Sequence, residues 1–119
     1  MGIYSTKGNE SEGIKNPIHQ EYDRTDPLHL DTISTRYFLN LFRYIKKAKK
    51  VAPTIKIPTL IFQGTDDPAI SPDGVRSFYN HVGAPEKRIV LIEGGLHSLF
   101  TDPSFQDKWP ILIDWLNAH

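Results

Sequence analysis

The chain has 119 residues, of which 39% are hydrophobic, so it is long enough for one small domain and does not have the composition of a disordered protein. Fourteen basic residues balance fourteen acidic ones, which excludes a strong overall field directed at nucleic acid or at an anionic membrane. The absence of cysteine excludes disulfides, thiolate catalysis and cysteine-based zinc sites, and makes a reducing, cytoplasmic location the default expectation.

Residues 1–30 are the first of two segments that the sequence predicts. They are rich in Gly, Asn, Glu, Ser and Asp, contain Pro17 and Pro27, and show neither a helical nor a strand period. We expect an irregular segment, either a loop or a strap that lies on another part of the molecule. The polar start lacks the apolar run of a secretion signal, so we expect neither export nor anchoring.

The second segment, residues 31–119, begins with a predicted amphipathic helix over 33–51. Thr32 or Ser34 can serve as its N-cap. Apolar residues recur at spacings of three and four, at Tyr37, Phe38, Leu41, Phe42, Ile45, Ala48 and Ala52. The last turns are rich in lysine, which we interpret as a solvated basic end beside the negative end of the helix dipole. A patch for nucleic acid or a membrane surface is the alternative interpretation.

Two short apolar runs, 57–62 and 88–92, predict buried strands. A helix is predicted between them over 75–82. The last helix spans 105–116, and it fits Pro110 only if the helical turn begins near that residue or is kinked there. The order helix, strand, helix, strand, helix predicts an α/β fold with parallel strands and right-handed crossovers.

The predicted sheet is incomplete. Two parallel strands cannot stand alone, because both would be open edges whose apolar faces are only partly covered by three helices. We expect either that further strands come from elsewhere or that the chain forms a homo-oligomer through its exposed strand edge.

Polar loops follow both predicted strands, with Asp67 after the first and His97 after the second. Because the carboxyl ends of neighbouring parallel strands share one edge of the sheet, we expect these two side chains to meet. A carboxylate at one imidazole nitrogen fixes the tautomer and stabilises the imidazolium that forms when the other nitrogen takes a proton from a nucleophile. The alternatives are a turn aspartate that accepts backbone hydrogen bonds and a histidine that satisfies a loop carbonyl.

A resemblance to a known family lies in the segment TLIFQGTDDPAISPDGVRSFYNHVGAPEKRIVLIEGGLHSLFTDP. It is similar to the acid-to-histidine region of monoglyceride lipase-like and lysophospholipase-like α/β-hydrolases of the serine aminopeptidase S33 type. The preceding residues 26–58 resemble the cap exit and connecting helix of these enzymes. The resemblance implies the C-terminal part of an α/β-hydrolase fold, with Asp67 as the triad acid and His97 as the triad base. Pro68 departs from the family, where a basic or polar residue more commonly follows the acid.

The nucleophile of that family is missing from the chain. In this superfamily the serine lies in a G-x-S-x-G elbow upstream of the acid, and none of the serines here has glycines on both sides at that spacing. Ser98 is not expected to replace it, because adjacent residues point in different directions and no oxyanion donors are evident. We therefore expect the chain alone to be inactive.

The resemblance implies a carboxylic-ester hydrolase that acts on monoacylglycerol-like or lysophospholipid-like acyl esters, with the serine supplied by a missing part and no cofactor. The other histidines share no metal-ligand spacing, so no metal is expected. Nucleic acid is not expected as a partner either, because basic and acidic residues balance. The alternative function is non-catalytic, as a truncated product or as a self-associating or partner-binding module.

Overall fold

A computed structural model describes residues 3–5, 12–30 and 32–119 of the chain. Its strands and helices are β1 (Ile3–Ser5), α1 (Pro17–Thr25), β2 (Thr32–Ser34), α2 (Thr35–Val51), β3 (Thr59–Gly64), α3 (Pro72–His81), β4 (Lys87–Ile92) and α4 (Trp109–Ala118). Short 3₁₀ segments lie at Ala52–Thr54, Leu99–Thr101 and Pro103–Lys108. None of the described helices combines the length and the apolar character needed to cross a bilayer.

The centre of the fold is the parallel pair of β3 and β4, whose register runs from Thr59 opposite Lys87 to Gly64 opposite Ile92. Helix α3 makes the crossover between the two strands, and it packs against both of them and against α2. Strands β1 and β2 form a separate antiparallel pair. The predicted α/β class, the parallel strands and the small incomplete sheet are confirmed.

The irregular segment predicted at residues 1–30 contains a strand and a helix, so that prediction was wrong over β1 and α1. The Asn16 side chain caps α1 by accepting a hydrogen bond from the Ile18 amide at 3.0 Å, and Pro17 occupies the first helical position. A proline there removes no helical hydrogen bond, and its fixed φ suits the helix. Within α1, Arg24 pairs with Glu21 at 2.8 Å. Pro17, which we took as a sign of a loop, is therefore a helix start.

Prolines also account for the differences at the other boundaries. Helix α3 begins at Pro72, three residues before its predicted start. Strand β3 lies two residues later than predicted, because Pro58 has no amide hydrogen and the ladder begins where Thr59 N–H donates to the Glu86 carbonyl at 3.0 Å. Pro110 lies in the first turn of α4, which is one of the two placements that the sequence allowed.

The hydrophobic core is small and lies in two places. The end of α2 meets the end of α3 around a cluster of Ala52, Val82 and Ala84, with Phe78 packed beside it. On the other face of the sheet the fully buried Phe105 lies edge-on to Phe62, with ring centroids 4.9 Å apart, and to Trp109 at 5.1 Å. The two faces of β3 therefore pack against different helices, and both loops that follow the strands project from one edge.

Candidate active site

The acid predicted from the sequence lies in the turn directly after β3. One carboxylate oxygen of Asp67 accepts hydrogen bonds from the amides of Ala69 at 2.8 Å and Ile70 at 2.9 Å. The other oxygen accepts a bond from Gln63 Nε2 at 3.3 Å. The Asp67 side chain is only 5% exposed. The turn therefore holds the carboxylate in one orientation, with Oδ2 directed toward the next loop.

The structure brings Asp67 and His97 together, as the sequence predicts. His97 Nδ1 lies 2.9 Å from Asp67 Oδ2. An ionised carboxylate accepts, so Nδ1 carries the hydrogen and Nε2 of the neutral ring is left as a proton acceptor. No described residue hydrogen-bonds to Nε2, and the His97 side chain is half exposed. The pair has the geometry of an acid that orients a base.

Burial by itself raises the pKa of Asp67, but hydrogen bonds oppose it. The bond from His97 and the amides of Ile70 and Ala69 stabilise the charged form, and the His97 charge adds to them, so the pKa lies below its ordinary value. Asp67 is thus a carboxylate at neutral pH and can stabilise an imidazolium.

Backbone bonds tie the acid loop to the histidine loop. Thr65 N–H donates to the Ile92 carbonyl at 3.0 Å, and Asp66 N–H donates to the Gly95 carbonyl at 3.1 Å. In the reverse direction, Gly94 N–H donates to the Thr65 hydroxyl at 2.8 Å. These three bonds fix the two loops relative to each other, and so they fix the separation of Asp67 and His97.

Glycines allow the close approach of these loops. A Cβ atom placed on Gly64 would lie 2.2 Å from the Gly95 carbonyl oxygen, a distance that no side chain can occupy. Gly94 has a φ of 66°, in the left-handed region that favours glycine. The short distance between the two loops therefore depends on the absence of side chains at Gly64 and Gly94.

Asp102 is a buried residue of the site that the sequence analysis did not identify. One oxygen accepts a bond from the Leu96 amide at 3.0 Å, directly before His97, and the other accepts bonds from the amide and hydroxyl of Ser104 at 2.8 and 2.7 Å. Burial raises its pKa, but these bonds and the charge of Lys15 lower it below the ordinary value. The signal in the sequence was an aspartate that precedes a proline, in the position of an N-cap.

Residues 13–15 of the N-terminal segment lie on the histidine loop. The Ser98 amide donates to the Gly13 carbonyl at 2.9 Å, and Lys15 Nζ donates to the Gly94 carbonyl at 3.0 Å. A Cβ atom on Gly13 would lie 2.9 Å from the His97 Cβ. This part of the segment is therefore a strap, which was one of the two expectations for it.

An open cleft of about 470 Å³ lies beside the base, lined by Leu60, Phe62 and residues 97–101. Ser98 lines this cleft, but no hydrogen bond joins its hydroxyl to His97 in the described part of the chain. The cleft leaves open space beside His97, bordered by the apolar side chains of Leu60 and Phe62.

Two of the remaining histidines, His81 and His119, make contacts away from this site. His81 contacts the Ser77 carbonyl at 2.6 Å, and His119 contacts Glu86 at 3.1 Å. Among the residues that the structure describes, no group of three or more His, Asp or Glu side chains is arranged to hold a metal ion.

Comparison with known families gives a match over most of the chain. A family model described as serine aminopeptidase, S33, matches residues 4–104. The chain belongs to this family. The S33 match includes both Asp67 and His97, together with the strap and all of the parallel sheet.

Three proteins that resemble this S33 chain are each considerably longer than it is. It is 30% identical to phospholipase YtpA of Bacillus subtilis over 90 residues, which are 73% of this chain and 34% of that protein. The crystal structure of the Paleococcus ferrophilus monoacylglycerol lipase has a TM-score of 0.85 at 28% identity, covering 99% of this chain and 46% of the lipase. A Saccharomyces cerevisiae monoglyceride lipase variant, solved with a substrate analogue, has a TM-score of 0.79 at 24% identity, covering 99% and 44%. The chain thus spans about a third of the phospholipase and less than half of each lipase.

Proposed function

We propose that this chain is the C-terminal fragment of a serine hydrolase of the carboxylic-ester type, and that it supplies the acid and the base of the catalytic triad. The proposal is carried by one observation: His97 Nδ1 lies 2.9 Å from Asp67 Oδ2 at the carboxyl edge of the sheet, and His97 lines a cleft with no described residue bonded to its Nε2. The serine comes from outside the 119 residues. Without it the chain is inactive.

In this reaction His97 Nε2 takes the proton of the serine hydroxyl as the serine oxygen attacks the ester carbonyl. The same proton then passes to the leaving alcohol, which departs and leaves an acyl-enzyme. A water molecule gives a proton to His97 and attacks the acyl carbon, so that the fatty acid leaves and the serine regains its hydrogen. Throughout, Asp67 keeps the Nδ1 hydrogen in place and stabilises the imidazolium.

The substrate class that we propose is a lipid ester with a single acyl chain, such as a monoacylglycerol or a lysophospholipid. It is supported by the names of the relatives, a phospholipase and two monoacylglycerol lipases. The apolar residues Leu60, Phe62 and Leu99 beside His97 suit an acyl chain. A cytoplasmic location remains a prediction from the cysteine-free composition.

A fluorophosphonate probe, which labels activated serines, tests the proposal. We expect no labelling of the 119-residue chain. A chimaera in which this chain replaces its counterpart in the P. ferrophilus lipase is expected to be labelled and to hydrolyse a monoacylglycerol. In the chimaera, His97→Ala should lower hydrolysis by about 10⁶-fold. His81→Ala is the matched control and should leave the rate unchanged, since His81 lies on α3 away from the cleft.

Labelling of the isolated chain would contradict the missing nucleophile. A folded, active chimaera that is indifferent to His97→Ala would contradict the role of the base.

A second candidate function is a non-catalytic module that associates with itself. The large hydrophobic residues that the structure leaves exposed favour it, among them Leu39 at 60% and Phe42 at 59%. Sedimentation of the isolated chain over a range of concentrations tests this candidate. A dimer that persists at low micromolar concentration would support it, and a monomer throughout would reject it.

A further inference from the structure

The strap contacts the histidine loop on both sides of His97. The Lys15 ammonium donates to the Gly94 carbonyl at 3.0 Å, three residues before the histidine. The Gly13 carbonyl accepts a bond from the Ser98 amide at 2.9 Å, one residue after it. Two hydrogen bonds from one short segment therefore bracket His97, and they are separate from the bonds that the acid loop makes.

Gly13 also lies directly against the side chain of His97. A Cβ atom on Gly13 would lie 2.9 Å from His97 Cβ and 3.8 Å from its Cγ, and the first distance is too short for two carbon atoms. Among the described glycines only Gly94 has a positive φ, so the backbone at position 13 is compatible with alanine. The requirement for glycine at this position comes from the contact with His97.

Helix α1 holds the strap on its other side. The Gln20 side-chain amide donates to the Ile14 carbonyl at 2.6 Å, and Ile14 lies between the two residues that contact the histidine loop. Asn16, which caps α1, follows the strap directly. A cleft of about 280 Å³ lies between α1 and the segment 98–101, and Ile14 lines it. The strap therefore bridges α1 and the histidine loop, and a displacement of α1 would reach His97 through it.

The charge of Lys15 serves two groups of the histidine loop. Besides its bond to the Gly94 carbonyl, it lies close enough to Asp102 to stabilise that buried carboxylate. Asp102 in turn accepts a bond from the Leu96 amide at 3.0 Å. Lys15 and Asp102 thus hold the two peptide groups that flank Gly95, directly before the histidine.

We infer that the strap positions the catalytic base, and that Lys15 and Gly13 are its positioning residues. The inference rests on the proposed function, in which His97 takes a proton at Nε2. Both residues act through the loop and the side chain of His97, by keeping its Nδ1 against Asp67 and its Nε2 directed at the nucleophile. Because a misplacement of about 1 Å can cost about 100-fold in rate, such contacts control catalysis without touching the substrate.

The ¹⁵N chemical shifts of the His97 imidazole test the inference in the isolated chain. The bond to Asp67 places the hydrogen on Nδ1, and a ring that moves away from Asp67 loses that preference. Lys15→Met keeps most of the side-chain stem and removes the donor to Gly94. The ratio of the Nδ1–H to the Nε2–H tautomer should then fall by about tenfold, as expected when a hydrogen bond to a charged group is weakened.

The other variants of this series separate positioning from charge and from volume. Gly13→Ala should also lower the tautomer ratio by about tenfold, because the new methyl group displaces the His97 side chain. Lys15→Arg can still donate to the Gly94 carbonyl and should restore the ratio. Lys47→Met, at an exposed position of α2, and Gly74→Ala, with no atom closer than 3.8 Å to the new Cβ, are the matched controls and should leave it unchanged.

Steady-state kinetics of the chimaera test the same residues in the reaction. With a monoacylglycerol as substrate, Lys15→Met should lower kcat by about 10- to 100-fold and leave KM within about twofold, because the base moves and the substrate contacts do not. Lys47→Met should change neither constant. A merely structural role would reduce the folded fraction of Lys15→Met, which urea unfolding measures, and would leave the tautomer ratio of the folded molecules unchanged.

Two results would overturn the inference. One is a wild-type tautomer ratio in the folded Lys15→Met and Gly13→Ala chains, and if Gly13→Ala does not fold, Lys15→Met alone decides. The other is a raised KM at unchanged kcat in the Lys15→Met chimaera, which would assign the strap to substrate binding. A chimaera that folds but is not labelled by the fluorophosphonate, together with a shifted tautomer in the isolated variants, would reject the proposed hydrolase and uphold the strap as the element that positions His97.

Discussion

At the scale of single residues, Asp67 determines which nitrogen of His97 carries the proton. In Asp67→Asn the side-chain oxygen can still accept from Ala69 and Ile70, which leaves the NH₂ group facing His97 Nδ1. Nδ1 must then accept, and the hydrogen moves to Nε2. The ¹⁵N chemical shifts of the imidazole should report this change of tautomer in the isolated chain. In the chimaera, hydrolysis should fall by about 10⁴-fold.

Asp66→Asn is the control for this tautomer experiment. Asp66 is exposed, and its side chain accepts from the Thr65 hydroxyl at 3.0 Å without contacting His97. The His97 tautomer should remain unchanged in that variant. If Asp67→Asn also left the tautomer unchanged, the bond at 2.9 Å would not be what orients the ring.

The buried carboxylate of Asp102 gives the chain a dependence of stability on pH. The pKa values of Asp67 and Asp102 lie below their ordinary value of 3.8 in the folded chain, so the unfolded chain binds protons first as the pH falls. The contribution of these two groups to the free energy of unfolding should be constant well above this range, decrease as the pH falls through 3.8, and level off beneath the folded pKa values. Urea titrations between pH 2 and about 6, the range that spans such carboxyl pKa values, will measure it.

Asp102→Asn should lower the free energy of unfolding at neutral pH by about 1–3 kcal/mol, because an NH₂ group replaces one of the acceptors for Leu96 and Ser104. Its pH dependence below 3.8 should also be shallower. For the exposed Asp66→Asn we expect less than about 0.5 kcal/mol. If the free energy of unfolding of Asp102→Asn decreased equally steeply below pH 3.8, the pH dependence would come from other carboxyl groups.

At the scale of elements, the apolar periods predict the helices α2, α3 and α4 and the strands β3 and β4, and the prolines account for the errors at α1, α3 and β3. Helix α2 and strand β4 were predicted within two residues of their observed bounds. Pro17 and Pro72 were interpreted as loop residues, although each occupies the first position of a helix. A proline favours a loop and a helix start by the same fixed φ, and only the capping contacts, such as that of Asn16, distinguish the two.

The proximity of Asp67 and His97 could be predicted because neighbouring parallel strands end at the same edge of a sheet. The carboxyl ends of β3 and β4 must lie side by side, so Asp67 and His97 had to be near each other. The contacts of Asp102 and Lys15 could not be found in this way. Lys15 reaches Gly94 across 79 positions of the chain, and no periodic pattern encodes such a contact.

The close contact between the loops that follow β3 and β4 predicts a large difference in stability between two Gly→Ala variants. In Gly64→Ala the new Cβ would meet the Gly95 carbonyl at 2.2 Å, so the loops must separate, at a cost of about 1–3 kcal/mol or more. Gly74 lies inside α3, where the nearest atom to a new Cβ is 3.8 Å away, and Gly74→Ala should stabilise the helix by about 0.5–1 kcal/mol. Urea unfolding of both variants measures the difference. Equal stabilities would mean that the two loops are not held in contact in solution.

At the scale of the whole molecule, the described chain has little core for its surface. Five hydrophobic residues are buried, namely Ala52, Val82, Ala84, Ile92 and Phe105, whereas sixteen large ones are exposed. Since burial of apolar surface supplies most of the stabilisation of a domain, we expect the isolated chain to be marginally stable. If the proposed function is correct, the missing part of the sheet would cover much of this exposed apolar surface.

Phe105→Ala tests whether the isolated chain is only marginally stable. Phe105 is fully buried and joins β3, the 3₁₀ segments and α4 through its contacts with Phe62, Phe100 and Trp109. Removal of such a ring costs about 3–5 kcal/mol, which is comparable to the total stability of a small domain. Far-ultraviolet circular dichroism at 25 °C should show a largely unfolded chain.

Phe42→Ala is the control for Phe105→Ala, because Phe42 on α2 is 59% exposed, and it should cost less than about 0.5 kcal/mol. In the chimaera Phe105→Ala should remain folded, because the additional sheet adds stabilisation that the isolated chain lacks. A cooperative, native-like unfolding transition of Phe105→Ala in the isolated chain would show that the core is larger than the buried residues indicate. That result would also remove the reason to expect that the chain needs a covering part in order to be stable.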